Sequence, residues 1–382
     1  MKNVEGFIVK LSSFFILSPV TIVLFFSGLG LFVSLNFYSE WSFSHTLYTS
    51  GVATFCFFYV LSKLVFSLGN NAGILRISPL NFKGEGANRK LMLFYWMMAV
   101  VGAFLSVYQI VDQGSGSGNL FYNLRYAHTI ENQTVPLLAH FSLFSFVLAL
   151  YYIYKGYKKL AFIALSLSLL PAFATAAKAG FLFNIASVSY LYFIVYGLRA
   201  KYLLISSFLF FFLILIVTSS AGKLGGSGGQ FFLFSYLGYG ITAFDDLVFG
   251  KASVQCYSLV FGNIVGGLIN ILLDTSGSCS FVPKAEVGSF NVYTYMYAPY
   301  VVFGAKGVIF LMAFLGIFYA ILDYLALAKG GPFLLISSTF IYPLMMIFFD
   351  WQFDLSTFVY VSILTFPLFF TLKPKRFLVA YD

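Results

Sequence analysis

Charge is scarce in this chain. Of its 382 residues 9% are charged, and Asp and Glu together number 13. A globular surface has to be covered by polar side chains, so this scarcity excludes an ordinary soluble domain. Cysteine is equally sparse. Cys56, Cys256 and Cys279 have no metal-like spacing and two lie in apolar runs, which argues against a disulfide scaffold. There are three histidines, and no His, Cys and Asp cluster has ligand spacing, so no metal and no cofactor is expected. Nucleotide-binding motifs are also lacking. The run from Ala221 to Gly229 is glycine-rich, but Leu224 follows Lys223 where a phosphate-binding loop needs Ser or Thr.

What is present is apolar. Hydrophobic residues make up 60%, with 50 Phe and 27 Tyr, and mean hydropathy is +0.91. Repeated long apolar runs point to helices rather than a barrel. The expected fold is an all-α polytopic membrane protein of about 12 spans, each near the length a bilayer requires. The runs are 11–35, 44–68, 90–111, 133–154, 159–176, 179–197, 202–218, 229–246, 252–273, 299–327, 332–349 and 354–371. The first is too long for a signal-peptide core and is retained as a span. Of the 22 Lys and Arg, all but Arg125, Lys178, Lys223, Lys284 and Lys306 fall in segments read as cytoplasmic, which puts both termini in the cytoplasm. The net charge of +9 therefore reads as topology and not as nucleic-acid binding. One membrane domain over 1–382 carries three outer loops, 112–132, 219–229 and 274–298. Within the first, Leu120 to Ile130 fits a short amphipathic helix lying at the surface.

The five outer cations run against the orientation signal, so something else accounts for them. An outward-facing enzyme without nucleotide motifs takes its driving force from its substrate, and a sugar on polyprenyl pyrophosphate is such a substrate. Arg and Lys match the charge that develops on a pyrophosphate leaving group. Arg125, Lys178 and Lys306 are expected to converge on the pyrophosphate, with Lys223 and Lys284 nearer the glycan. The plainer alternative for each is a cation resting among headgroups. An acceptor hydroxyl needs a base; Glu286, Glu131, Asp245, Asp246 and His128 are candidates by type, with Glu286 favoured over His128, which follows Arg125 by three residues and would share its helical face. The stretch SFNVYTYMYAPYVVFGAKG, Ser289 to Gly307, sits where water gives way to bilayer. Its Asn291, Tyr293, Tyr295 and Tyr297, with Tyr236, are the expected sugar-binding groups. Lys306 lies inside the apolar run, where a cation needs a partner, a snorkelling route or an anionic ligand.

Several of these stretches together resemble one family. NVYTY (Asn291 to Tyr295), FGAKG (Phe303 to Gly307) and the following Phe314, Leu315 and Gly316 resemble the C-terminal signature of bacterial oligosaccharide repeat-unit polymerases of the Wzy type. Ser18 and Pro19 with LNFY (Leu35 to Tyr38), NLRYA (Asn123 to Ala127) and YLGYGITAFD (Tyr236 to Asp245) are similar to that family's earlier segments. The resemblance implies an integral-membrane glycosyltransferase of the bacterial inner membrane. Its partners would be undecaprenyl-pyrophosphate-linked oligosaccharides, with a chain-length regulator and a flippase alongside. Transfer would take place at the periplasmic face, with Arg125 as a functional arginine. The chain departs from the pattern at Lys178, where the family often has Arg, at Val302, where it often has an acidic residue, and at Lys306, usually a neutral slot. A lipid-linked oligosaccharide flippase and an O-antigen ligase would use the same donor. No repeat relates 1–190 to 191–382 as a flippase would favour, and no large histidine-bearing loop marks a ligase.

Overall fold

The computed structural model describes residues 18–37, 40–71, 88–115, 119–129, 138–176, 178–197, 240–241, 244, 257–273, 294–347, 353 and 355–369. In chain order the helices are α1 (Pro19–Phe37), α2 (Phe43–Asn71), α3 (Arg89–Gly114), α4 (Leu120–Thr129), α5 (Leu138–Lys155), α6 (Lys158–Ala174) and α7 (Lys178–Tyr196). They continue as α8 (Ser258–Leu272), α9 (Tyr297–Lys329), α10 (Gly331–Thr339), α11 (Ile341–Met345) and α12 (Leu355–Thr365), closed by a 3-10 turn, Phe366–Leu368. Among the described residues there is no strand.

Five described helices, α1, α2, α3, α7 and α9, are long and apolar enough to cross a membrane. α2 and α3 turn large apolar side chains outward, including Phe57, Leu64, Leu68, Leu93 and Phe104. In water such faces would be an aggregation liability; in lipid they are solvated. The protein is a membrane protein with several apolar, membrane-length helices.

The expectation of about twelve spans is corrected by this arrangement. Apolar runs that read as spans fold into helices too short or too polar for a crossing, and these form a large helical region beside the five. α6 has 17 residues, begins with two lysines and carries Pro171 near its end. α5 contains His140 and ends at Lys155, where Gly156 (φ 87°) stops it. α8 has 15 residues. The run 332–349 is divided at Phe340, the cap between α10 and α11, whose amide is shared between the Ile336 carbonyl and the tighter Ser337 carbonyl. The Tyr319 hydroxyl donates to the Phe340 carbonyl at 2.5 Å and holds the break in place. Run 202–218, most of 229–246 and both termini lie outside the described residues.

α5 is the inner helix of that region. Residues from Ser145 through Ile153 are buried without interruption, as expected of a helix segment enclosed by others. Across the bundle, α2 and α9 run parallel in close contact. Tyr295 meets Tyr48, Gly316 meets Phe55, and Tyr324 meets Phe66, so the two numberings rise together. Gly316 makes this possible. A Cβ there would stand 2.5 Å from the Phe55 carbonyl oxygen and 3.0 Å from the Tyr59 amide nitrogen. Small residues at such a crossing let backbones touch where lipid supplies no hydrophobic drive for association.

Candidate functional site

The motif FGAKG is a bend. Inside α9, Gly304 adopts φ 69°, ψ −169°, which essentially only glycine tolerates. A Cβ on Gly307 would lie 3.0 Å from the Pro299 carbonyl oxygen. In a continuous helix residues eight apart are about 12 Å apart along the axis. The chain therefore folds back at Gly304, and the segment from Tyr297 to Phe303 packs against the helix that follows. Lys306 is exposed within this bend. Phe303 anchors the bend on the start of α8 through the rings of Tyr257 and Phe261.

The residues just before the bend are packed inside the protein. Tyr295 is buried, and its hydroxyl donates to the Tyr48 carbonyl at 2.7 Å. Burial, then the neighbouring Tyr48, push its phenol well above the usual range, so it remains a donor. Its backbone amide bonds the Ile347 carbonyl at 3.2 Å, which ties the segment to the end of α11. Tyr297 is also buried. Of the residues expected to face sugar, Tyr295 commits its hydroxyl within the fold. Tyr236, Asn291, Tyr293, Lys223, Lys284 and Glu286 lie outside the described residues.

Arg125 and His128 lie on α4, where the sequence pattern places a short helix. Leu124 and Ala127 are buried beneath it while Tyr122 and Tyr126 face outward. Asn119 starts α4 by accepting from the Phe121 amide at 3.0 Å. Phe121 packs its ring 5.0 Å from that of Phe173, at the end of α6. Gln109 of α3 donates to the Ala174 carbonyl at 3.1 Å at the same corner. Ala176 then takes a left-handed φ of 47° to close the α6–α7 turn, and α7 opens at Lys178. The backbone thus brings the helix bearing Arg125 and the turn leading to Lys178 to one corner. The end of α7 that begins there reaches α11 through Phe183 and Tyr342, whose rings are 5.8 Å apart. α11 in turn holds the Tyr295 segment, so the α9 bend with Lys306 belongs to the same end of the bundle on another face.

One cluster escapes the sequence reading. Asp323 of α9, 3% exposed, accepts on Oδ2 from the Tyr59 hydroxyl and from Lys63 Nζ, each at 2.6 Å. Tyr59 and Lys63 are four apart on α2, hence on one face. The signal was available: Asp323 is the lone acidic residue in the α9 sequence, and a membrane carboxylate calls for a partner. At the other end of α2, His45 is buried and links two helices. Its Nδ1 accepts from the Ser42 amide at 3.2 Å, so Nε2 carries the proton and donates to Ser34 at 3.0 Å. Among the described residues no group of three or more His, Cys, Asp or Glu is placed to hold a metal.

No protein-family model, curated protein or solved structure matches this chain. The twelve-span topology carried by the Wzy-type polymerase label is corrected, since the described helices of membrane length number five. What stands in its place is an all-α membrane protein with a bent helix at one end and a buried ion pair further along the same helix.

Proposed function

We propose that the chain is a membrane glycosyltransferase that joins undecaprenyl-pyrophosphate-linked oligosaccharide units, passing the growing glycan to a new lipid-linked unit. The observation that supports this reading is the placement of its cations. The α4 helix carrying Arg125 is seated on the corner from which Lys178 begins α7. Lys306 is exposed in the Gly304 bend at the same end. A pyrophosphate leaving group brings dense negative charge to the membrane edge, and arginine and lysine carried to that edge match it in sign. In this reading Arg125 grips two phosphate oxygens, Lys178 and Lys306 neutralise the developing charge, and Glu286 or His128 takes the proton from the acceptor hydroxyl. The products are an elongated lipid-linked glycan and free undecaprenyl pyrophosphate. The enzyme would lie in a bacterial inner membrane with this end in the periplasm, beside a chain-length regulator and a flippase.

The test is reconstitution of the full chain with a lipid-linked repeat unit, followed by product length and linkage analysis. Elongation without nucleotide sugar and in the presence of EDTA is the expected result. Lipid movement across the bilayer without elongation would replace this reading with a flippase, and transfer only to a lipid A core acceptor would replace it with a ligase. An impermeant thiol reagent should label a cysteine placed at 117 from the periplasmic side.

A further inference from the structure

His140 stands in the first turn of α5 and is exposed. Its neighbour in the chain fixes its depth. The Phe141 Cβ lies 3.1 Å from the Cβ position of Gly102, at the middle of α3, one of the helices long enough to cross a membrane. Within a turn of Gly102, α3 turns Val100, Val101 and Phe104 outward. His140 is therefore level with the hydrocarbon. An ionisable side chain is costly against lipid, and such residues face the bundle interior or a water-filled cavity.

α12 stands opposite. The Tyr360 ring is edge-on to the His140 ring with centres 5.1 Å apart, and the chain leaving α12 brings Phe369 to Tyr151. The two helices therefore run in the same direction. Their inner parts are closed: Ser145 through Ile153 are buried on α5, and Val361, Thr365 and Leu368 on α12 and its closing turn. Their outer turns are not. Phe141 through Phe144 on α5 and Thr357 through Tyr360 on α12 are half-buried in unbroken succession. Four successive residues point to every side of a helix, so neither helix is fully covered on any side there. The uncovered turns lie toward the end from which Lys178 begins α7. Phe146 meets Phe183 with ring centres 4.8 Å apart, and α5 and α7 then run together to Ile153 and Tyr196.

From this we infer that α5 and α12 border a water-filled cleft that narrows inward and reaches the level of His140. An imidazole and a phenol each give and accept hydrogen bonds, which suits a ligand made of hydroxyls. The cleft takes the sugar head of a lipid-linked unit, with His140 and Tyr360 bonded to its hydroxyls. The cleft stands on the geometry alone; the sugar as its occupant rests on the glycosyltransferase reading.

The test places single cysteines in the full chain with Cys56, Cys256 and Cys279 changed to serine. A thiol reacts as the thiolate, which forms in water and not in hydrocarbon. H140C and Y360C in membranes should react with an impermeant methanethiosulfonate about tenfold faster than F104C, which faces lipid at the same level. Either reporter serves if the other fails to express. Rates no faster than that of F104C would overturn the cleft. An undecaprenyl-pyrophosphate-linked repeat unit should slow the labelling, and undecaprenyl pyrophosphate without sugar should not. Equal slowing by both, or by neither, would overturn the sugar as occupant. Sugar-dependent slowing in a chain that never elongates glycan would uphold the cleft and its occupant and sink the polymerising reaction alone.

Discussion

Lys63 and Asp323 are 260 residues apart in the chain and 2.6 Å apart in the fold. Their pair joins two parallel helices at a point where Asp323 has almost no access to solvent. Burial of one charge without the other is far costlier than burial of neither. K63M or D323A alone is expected to lower stability by about 3 kcal/mol or more. The double variant K63M/D323N, which leaves no buried charge, should recover most of the loss. Melting curves of the four proteins in one detergent check this, and additive losses would show that the two residues act independently.

The Gly304 bend yields a backbone prediction. Nothing lies within 4 Å of a Cβ at this position, so a side chain has room, but φ of 69° strains any residue other than glycine. Gly304→Ala is expected to cost about 1–3 kcal/mol. Gly28 in α1 also has open space around its Cβ position and no unusual φ, so Gly28→Ala should be neutral or slightly stabilising. Comparing the two melting temperatures separates backbone strain from loss of glycine as such.

Gly316 is a packing prediction instead. Gly316→Ala puts a methyl carbon against the Phe55 carbonyl and the Tyr59 amide, which are backbone and cannot rotate away. The α2–α9 crossing should open, costing about 1–3 kcal/mol. Because Tyr59 also holds Asp323, the variant should raise the accessibility of Lys63 to an amine-reactive label. Unchanged labelling would show that the crossing and the ion pair are mechanically separate.

The proposed reaction makes its own demand on the cations. Arg125→Ala should abolish nearly all elongation and Arg125→Lys a large part, because lysine cannot reproduce a two-point grip. Loss of such a charge contact in the transition state costs about 3 kcal/mol, or roughly a hundredfold or more in rate. Lys306→Met should leave folding intact, since Lys306 is exposed, yet reduce turnover. Polymer length and rate in well-expressed variants provide the check. Wild-type values in both Arg125→Ala and Lys306→Met would remove this site.

The membrane character of the protein was legible in its sequence, because hydropathy is a local property that sums along a window. The short helix under Arg125 was legible for the same reason: its buried Leu124 and Ala127 and outward Tyr122 and Tyr126 alternate at helical spacing. The number of crossings was not. Gly156, the left-handed Ala176 and the break at Phe340 decide where helices stop, and the last of these is held by a hydroxyl from another segment, that of Tyr319. Composition places Tyr295 at a water–bilayer boundary, where it would be open to a sugar. Only the tertiary structure turns it inward onto Tyr48, over a glycine at 51 that leaves room for its ring. The same holds for Asp323. A lone acid in an apolar helix announces that a partner exists, but the partner's identity is a matter of packing, and only the parallel register of α2 and α9 delivers Lys63 and Tyr59 to it.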